Sequence, residues 1–180
     1  MASAWVYAFM GVLLMERLLE TVVARRNGSW IVARGGFECH RGFTRVLLGF
    51  HGLWFAAFFL EAFVRKAAPI VHPAHIVFLL VLLQAGRYGC ILSLGRFWNT
   101  RIFVLPGAAP VRRGLYRWFR HPNYLIVRVE IALYPTLFGC FATALVFGTA
   151  NLWILQQRIR QEEESMGVRR SRGSRPAAYY

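Results

Sequence analysis

Long apolar runs divide this chain, and short arginine-rich segments separate them. The apolar runs cover about residues 3–24, 44–64, 73–94 and 124–155. A helix needs about 20 predominantly apolar residues to cross the hydrocarbon core of a bilayer, and each run is at least that long. The pattern therefore predicts an all-α fold, that of a polytopic integral membrane protein whose chain crosses the bilayer several times.

The last apolar run is too long for one membrane span and too short for two full spans joined by a loop. Pro135 and Gly139 lie near its middle, where the chain can turn. We therefore predict a tight helical hairpin, with helices over residues 124–138 and 140–157, followed by a cytoplasmic helical extension. With the first three runs, the hairpin brings the prediction to about five transmembrane helices.

The positions of the arginines predict how these helices are oriented. Five arginines lie in the connection after the first run, six lie between the third run and the hairpin, and six follow the hairpin. The opposite connections hold only Arg65 and Lys66. Because five helices put the three arginine-rich segments on one side, the positive-inside rule makes that side cytoplasmic. We expect an outside N-terminus, a cytoplasmic C-terminus and a plasma-membrane location.

The length of the chain limits how many domains it can form. With 180 residues the chain has room for one compact domain, so we expect a single membrane-embedded domain over residues 1–166. A basic tail rich in Arg, Ser and Gly, predicted to be disordered, follows over residues 167–180.

The net charge of +14 is typical of nucleic-acid-binding proteins too, but these arginines flank apolar runs instead of lining a soluble face. The expected partner is an anionic bilayer surface and not nucleic acid, and the sequence sets no oligomeric state.

The cysteines carry no recognisable site. Cys39, Cys90 and Cys140 are widely spaced and form no CxxC pair. The adjacent Cys39–His40 pair alone is too small a ligand set for a metal ion. We predict neither a metal site nor a disulfide framework.

Ionisable side chains inside apolar segments are costly, so each marks either an interhelical ion pair or a functional site. The predicted helices contain several of them: Glu16, Arg17, Glu20, His51, Glu61, Arg87, Arg128 and Glu130. Glu130 is the most suggestive of a function, because it follows a dense polar motif. At 1.5 Å per residue it lies about 9 Å along the helix from Tyr124, and it could face the same cavity.

That polar motif covers residues 114–124 and concentrates cations, an imidazole, an amide and aromatic rings. Pro122 cannot continue a preceding helix but suits the first turn of the next one. Arg120 and His121 are therefore expected at the positive end of the fourth helix, where a carboxylate-bearing ligand could bind. The alternative interpretation is an interfacial belt of aromatic and basic residues, which needs no ligand.

A second charged motif follows the hairpin at residues 158–164. Arg158 and Glu162 are spaced as an i,i+4 pair on one helix face. Glu162, Glu163 and Glu164 make up three of the chain's eight acidic residues, and they lie on the same predicted side as Arg120 and His121. A solvated charge run is the alternative interpretation.

Together these two motifs resemble the isoprenylcysteine carboxyl methyltransferase family. The first is R-H-P-x-Y at residues 120–124, and the second, after the hairpin, is R-I-x-x-E-E at residues 158–163. A Val111-x-x-Gly114-x-Tyr116 turn extends the likeness upstream, so that it covers a catalytic core over about residues 96–166.

Segments near the N-terminus are similar to a bacterial branch of that family. They are Glu20-x-x-x-Ala24-Arg25-Arg26-Asn27, Gly35-Gly36-x-Glu38 and Arg96-Phe97-Trp98-Asn99-Thr100. The resemblance implies a bacterial membrane enzyme, and some members of that branch O-methylate alkylpyrones or alkylresorcinols.

The family resemblance also implies a cofactor and a set of site residues. The cofactor is S-adenosylmethionine, in a pocket that faces the cytoplasm. The residues implied for cofactor binding are His121, Pro122, Tyr124, Arg158, Glu162 and Glu163. The residues implied or suggested for catalysis are Arg120, Glu130 and Glu163.

The expected reaction is transfer of a methyl group to a carboxylate or acidic hydroxyl of a lipophilic substrate. Such a substrate is an alkylpyrone- or alkylresorcinol-type lipid or an isoprenylcysteine-like molecule. A phenolic acceptor would need a base, for which His121, Glu130 and Glu163 are the candidates. Two alternatives stay open: methylation of a phospholipid or amine, and a non-catalytic basic membrane module that binds anionic lipid.

Overall fold

The protein folds into five α-helices, as the sequence predicts. The computed structural model describes residues 3–109, 111–165 and 167, so the predicted tail lies outside the described residues except for Gly167. The helices, labelled in chain order, are α1 Ala4–Val32, α2 Arg41–Val64, α3 Pro73–Leu94, α4 Pro122–Leu137 and α5 Phe141–Ser165. The helical class and the number of helices are confirmed within this part of the chain.

Two helical segments are long and apolar enough to cross a membrane by themselves: Arg41–Val64 and Pro73–Phe97. The other three helices differ because α1 and α5 carry several charges and α4 has only 16 residues. Large apolar side chains nevertheless cover the outer surface of four helices, among them Leu18, Leu48, Phe63, Leu92, Leu145 and Val146. An apolar surface of this extent suits contact with lipid. Five complete spans stay a prediction.

The first helix is longer than its apolar run. We predict a helix that ends near residue 24, but α1 continues through Arg25 and Arg26 to Val32. Arginine is a good helix former, so the end of an apolar run marks the edge of the membrane segment and not the end of the helix. The extension carries Asn27 and Gly28 to the side of the molecule where the polar motifs lie.

A small two-stranded sheet departs from the helical structure that the sequence predicts. Strand β1 (Phe37–Cys39) pairs antiparallel with strand β2 (Ile102–Val104), and Glu38 lies opposite Phe103. The Glu38 carboxylate is 3.4 Å from the side chain of Arg101. Strands of three residues are too short to show a clear period of two, which explains why the pattern was not recognised.

The predicted hairpin is formed by α4 and α5. Its turn contains Gly139, whose φ of 72° lies in the left-handed region that favours glycine. Glu61 of α2 binds the start of α5, because its carboxylate accepts hydrogen bonds from the backbone N–H groups of Ala142 (3.2 Å) and Thr143 (2.7 Å). A carboxylate at a helix N-terminus satisfies unpaired donors and complements the helix dipole, so Glu61 has a structural role.

Two apolar clusters hold the helices together. The larger lies toward the hairpin turn and is rich in aromatic rings, including Phe9, Trp54, Phe58, Tyr134 and Phe138. The smaller packs Ala24, Cys90, Leu94, Trp98 and Tyr116 beside the polar motifs. The smaller cluster fixes the start of the loop that follows α3, next to the candidate site.

Candidate functional site

The two sequence motifs meet because the hairpin is antiparallel. The start of α4 lies beside the end of α5, so Tyr124 faces Arg158 and Glu162. The Tyr124 hydroxyl donates to Oε2 of Glu162 at 2.5 Å and accepts from Nε of Arg158 at 3.2 Å. Nη2 of Arg158 donates to the backbone carbonyl of Thr100 at 3.1 Å. Residues from three segments of the chain therefore converge around Tyr124.

A more exposed group of side chains lies next to this tyrosine. The His121 ring stacks on the Tyr124 ring, with centroids 5.4 Å apart and planes at 16°. Nε2 of His121 and Nη1 of Arg120 lie 3.6 Å and 3.7 Å from the same carboxylate oxygen of Glu163. We call Arg120, His121, Tyr124, Arg158, Glu162 and Glu163 the motif cluster. Pro122, the first residue of α4, is buried beside it.

The neighbouring residues Glu162 and Glu163 have different environments. Glu162 is 4% exposed and Arg158 is 3% exposed. Burial raises the pKa of Glu162, and the nearby Arg158 guanidinium partly opposes that rise. Burial alone would lower the pKa of Arg158, but Tyr124 and Glu162 more than compensate, so the net shift is upward. The inner pair is therefore shielded from solvent, while Glu163 is accessible at the edge.

Several buried polar atoms of this region have no hydrogen-bond partner within the described residues. They are Nη1 of Arg158, Oδ1 of Asn123 and Oε1 of Gln161. Buried polar atoms in folded proteins are nearly always paired, so each such atom requires an explanation. One unpaired donor and two unpaired acceptors suit a ligand that carries both a carboxylate and hydrogen-bond donors.

Glu130, the remaining predicted site residue, belongs to a different group of charges. Nε and Nη2 of Arg87 donate to the two carboxylate oxygens of Glu20, and the bond from Nη2 measures 2.7 Å. Nη1 of Arg87 donates to Glu130 at 3.3 Å. Nη1 of Arg17 lies 3.0 Å from Glu20. We call Arg17, Glu20, Arg87 and Glu130 the buried ion cluster. The cluster joins α1, α3 and α4, as expected for interhelical ion pairs, and the catalytic role of Glu130 stays a prediction.

Further residues position the motif cluster, and the sequence analysis assigned them no role. Nδ2 of Asn27 donates to the carbonyls of Trp98 (2.7 Å) and Gly95 (3.2 Å). Nδ2 of Asn99 donates back to the carbonyl of Ala24 at 2.8 Å. These bonds fasten the loop after α3 to α1, and that loop supplies the Thr100 carbonyl. One sequence feature does indicate a role for these residues: Asn27, Asn99 and Thr100 lie in segments that are similar to the bacterial branch of the isoprenylcysteine carboxyl methyltransferase family.

Gly114 allows the first motif to approach α3. Its φ of 56° lies in the left-handed region, and a Cβ atom there would lie 2.0 Å from Oγ of Ser93. Only glycine fits both the conformation and the space. The Gly114–Arg117 turn can therefore place Tyr116 in the smaller apolar cluster, directly before the motif cluster.

Cysteines and other metal ligands do not gather at a common point in the described part of the chain. Cys39, Cys90 and Cys140 are free thiols. No group of three or more His, Cys, Asp or Glu side chains that could hold a metal ion occurs among the described residues.

Comparisons with known proteins agree with this arrangement. The isoprenylcysteine carboxyl methyltransferase family model matches residues 75–168, just over half of the chain, including both motifs. An uncharacterized protein of Bacillus subtilis (strain 168), YpbQ, is 31% identical over 160 residues, which cover 89% of this chain and 95% of that protein. An uncharacterized protein of Haemophilus influenzae is 27% identical over 156 residues, covering 86% and 90% respectively.

No solved structure matches the chain. The family of this chain is therefore assigned from sequence comparisons alone. The residues that the family model matches begin at the start of α3 and include all of α4 and α5. The family match, together with the identity to the Bacillus protein over nearly the whole length of both chains, shows that this chain belongs to the isoprenylcysteine carboxyl methyltransferase family, and that membership implies a membrane methyltransferase.

Proposed function

We propose that this protein is an S-adenosylmethionine-dependent O-methyltransferase and that the motif cluster binds the methyl donor. The observation that carries the proposal is the unpaired Nη1 of Arg158, buried beside Tyr124 and Glu162. A buried guanidinium nitrogen without an acceptor is costly unless a ligand supplies one. The hairpin places this nitrogen among the residues of both family motifs.

The residues of the site fit the chemical groups of the donor. S-adenosylmethionine carries a carboxylate, an ammonium group and ribose hydroxyls. Arg158 would hold the carboxylate through its unpaired Nη1. The side-chain oxygens of Asn123 and Gln161 would accept from the ammonium or the hydroxyls. Glu162 and Tyr124 hold Arg158 in place, and His121 stacks on Tyr124 at the more exposed side.

The protein's contribution to the reaction is mainly positioning. When bound, S-adenosylmethionine would supply a sulfonium methyl group for transfer to the acceptor oxygen, and the electron pair of the broken carbon–sulfur bond would stay on sulfur. Side chains that fix both partners at short distance lower the barrier to such a displacement. A carboxylate or enolate acceptor is ionised near neutral pH and needs orientation only.

A phenolic acceptor needs a group that takes its proton, because its ordinary pKa is about 10. His121 and Glu163 are the better placed candidates, since they lie 3.6 Å apart at the edge of the site, where a proton can pass to water. Arg120 lies 3.7 Å from the same Glu163 oxygen. Glu130 is less suited to this step, because Arg87 binds one of its oxygens.

We propose that the whole chain up to residue 166 acts as one membrane domain, with the motif cluster on the cytoplasmic side. The polar donor would enter from the cytoplasm, and the lipophilic acceptor would enter sideways from the bilayer. The apolar outer surface of the helices and the positive-inside distribution of arginines support this topology. The acceptor class is a lipid of the alkylpyrone or alkylresorcinol type or an isoprenylcysteine-like molecule.

The decisive experiment is calorimetric binding of S-adenosylhomocysteine, which retains the carboxylate and ammonium groups, to purified protein in lipid nanodiscs. Arg158→Gln should weaken binding by about 10- to 100-fold, the effect of one charged hydrogen bond. Arg160→Gln is the matched control, because Arg160 is exposed two residues away on the same helix, and it should bind normally.

His121→Ala and Glu163→Ala test the more exposed side of the motif cluster, and both should weaken binding. A folded wild-type protein that binds no S-adenosylhomocysteine would contradict the proposal. The basic membrane module that binds anionic lipid would then be the better account.

A further inference from the structure

A small cavity lies between α1, α2 and α4, beside the buried ion cluster. Polar groups of Arg17, His51, Glu130 and Tyr134 line it, and apolar side chains close the rest. The cavity measures about 20 Å³. A site needs at least about 10–15 Å³ to hold a water-sized group, so this one has room for a single hydroxyl.

His51 of α2 is one of the residues that line this cavity. Its Nδ1 lies 2.9 Å from the carbonyl oxygen of Leu47. A carbonyl can only accept, so Nδ1 carries the proton in this bond, and Nε2 of the neutral ring is an acceptor. The hydrogen bond therefore fixes both the tautomer and the orientation of the ring.

Arg17 supplies the complementary group. Its Nη1 pairs with Glu20, but its Nη2 is buried with no hydrogen-bond partner within the described residues. Two carboxylate oxygens lie near Nη2, that of Glu130 at 3.7 Å and that of Glu16 at 3.9 Å, and both are beyond hydrogen-bond distance. Arg17 thus brings to the cavity a donor that makes no hydrogen bond within the described residues, and His51 brings an imidazole ring.

The cavity is next to the motif cluster along α4. Val127 lines the cavity and follows Tyr124 by three residues, which is about 4.5 Å along the helix axis. The Trp54 side chain is held against the same helix, because its indole N–H donates to the carbonyl of Ile131 at 3.1 Å. The near end of the cavity is therefore about one helical turn from Tyr124.

From these contacts we propose that the cavity binds a hydroxyl group of the lipophilic acceptor, and that His51 and Arg17 are positioning residues for it. The inference rests on the proposed methyltransferase function and adds an acceptor site to it. A hydroxyl donates to the His51 ring and accepts from Arg17. A carboxylate would satisfy Arg17 alone and would face the negative charge of Glu130.

The test uses three lipids that share one alkyl tail and one ring: 3-pentadecylphenol, pentadecylbenzene and 3-pentadecylbenzoate. Their affinities for the protein in nanodiscs are compared by calorimetry. The wild-type protein should bind the phenol at least about tenfold more tightly than the hydrocarbon, the effect of one or two hydrogen bonds in a buried site. The phenol should also bind more tightly than the benzoate.

His51→Phe should reduce the preference for the phenol over the hydrocarbon to less than about twofold, because the ring acceptor is lost. His51→Gln should leave an intermediate preference. His75→Phe is the matched control, since His75 is an exposed residue of α3, and it should keep the full preference.

Binding of S-adenosylhomocysteine is measured on every sample as a test of folding and of the donor site. A wild-type protein that binds the phenol and the hydrocarbon equally would overturn the acceptor site, even if it binds S-adenosylhomocysteine. A preference for the phenol that persists in a folded His51→Phe variant would overturn it as well. Selective phenol binding without S-adenosylhomocysteine binding would support the hydroxyl site and contradict the methyl-donor proposal instead.

Discussion

The guanidinium groups of Arg87 and Arg158 are both buried beside glutamates, but the two are satisfied in different ways. All three nitrogens of Arg87 bind carboxylate oxygens, those of Glu20 and Glu130. Arg158 uses Nε for a tyrosine hydroxyl and Nη2 for a backbone carbonyl, and its buried Nη1 has no hydrogen bond to any part of the chain that the structure describes.

This difference separates a structural ion pair from a site prepared for a ligand. A saturated cation between helices stabilises the fold because removing it leaves buried negative charge unpaired. A cation with one free donor gains that last bond only when a ligand arrives. We therefore expect changes at Arg87 to affect mainly stability, and changes at the motif cluster to affect mainly binding.

Arg87→Gln should have the largest effect on stability. The substitution removes the positive charge that Glu20 and Glu130 share, and breaking a buried ion pair costs about 3–5 kcal/mol. The measurement is thermal and denaturant unfolding in detergent micelles. Arg112→Gln is the control, because Arg112 is exposed. If Arg87→Gln has the same free energy of unfolding as the wild-type protein, the distinction between a structural Arg87 and a ligand-binding Arg158 is wrong.

Tyr124→Phe should weaken S-adenosylhomocysteine binding by about tenfold, because the lost hydroxyl no longer holds Arg158 and Glu162 in place. Calorimetry measures this loss, and thermal unfolding should change less than in Arg87→Gln. Tyr88→Phe is the control, since Tyr88 is 44% exposed on α3. Normal affinity in Tyr124→Phe would show that the tyrosine is not needed to position Arg158.

Asn27→Ala should have a smaller effect on both properties. The substitution removes two hydrogen bonds to the loop that supplies the Thr100 carbonyl. We expect a loss of about 1–2 kcal/mol in the free energy of unfolding and a few-fold weaker S-adenosylhomocysteine binding. Gln156→Ala, an exposed change on α5, is the control. If Asn27→Ala loses stability but keeps its affinity for S-adenosylhomocysteine, Asn27 does not help to position the motif cluster.

The smallest expected effect is a dependence of stability on pH at Glu162. Its pKa is raised in the folded protein by burial, which Arg158 only partly opposes. A raised folded-state pKa means that the group's favourable contribution is present below its unfolded pKa and is lost as the pH rises through the folded value. The unfolding free energy of the wild-type protein relative to Glu162→Gln should therefore fall between acidic and neutral pH. A rise over the same interval would show that the carboxylate, not the acid, is the form favoured by folding.

Much of the architecture follows from local features of the sequence. The apolar runs predicted the five helices, and Gly139 together with the length of the last run predicted the hairpin. Once a hairpin joins residues 120–124 to residues 158–163, antiparallel packing must bring them together. Chain connectivity enforces that contact, which is why the two motifs could be interpreted jointly without a structure.

Other features depend on contacts between segments that are distant in the sequence. The ion pair of Glu130 with Arg87, the hydrogen bond from Arg158 to the loop carbonyl and the pairing of β1 with β2 all join residues more than 40 positions apart. Composition and periodicity describe each segment's own preferences and carry no information on which distant partner it meets. The sequence by itself determined the helices and the meeting of the two motifs. The tertiary structure alone decided which arginine is saturated and which keeps a free donor, because that depends on how side chains from four helices and a loop pack against one another.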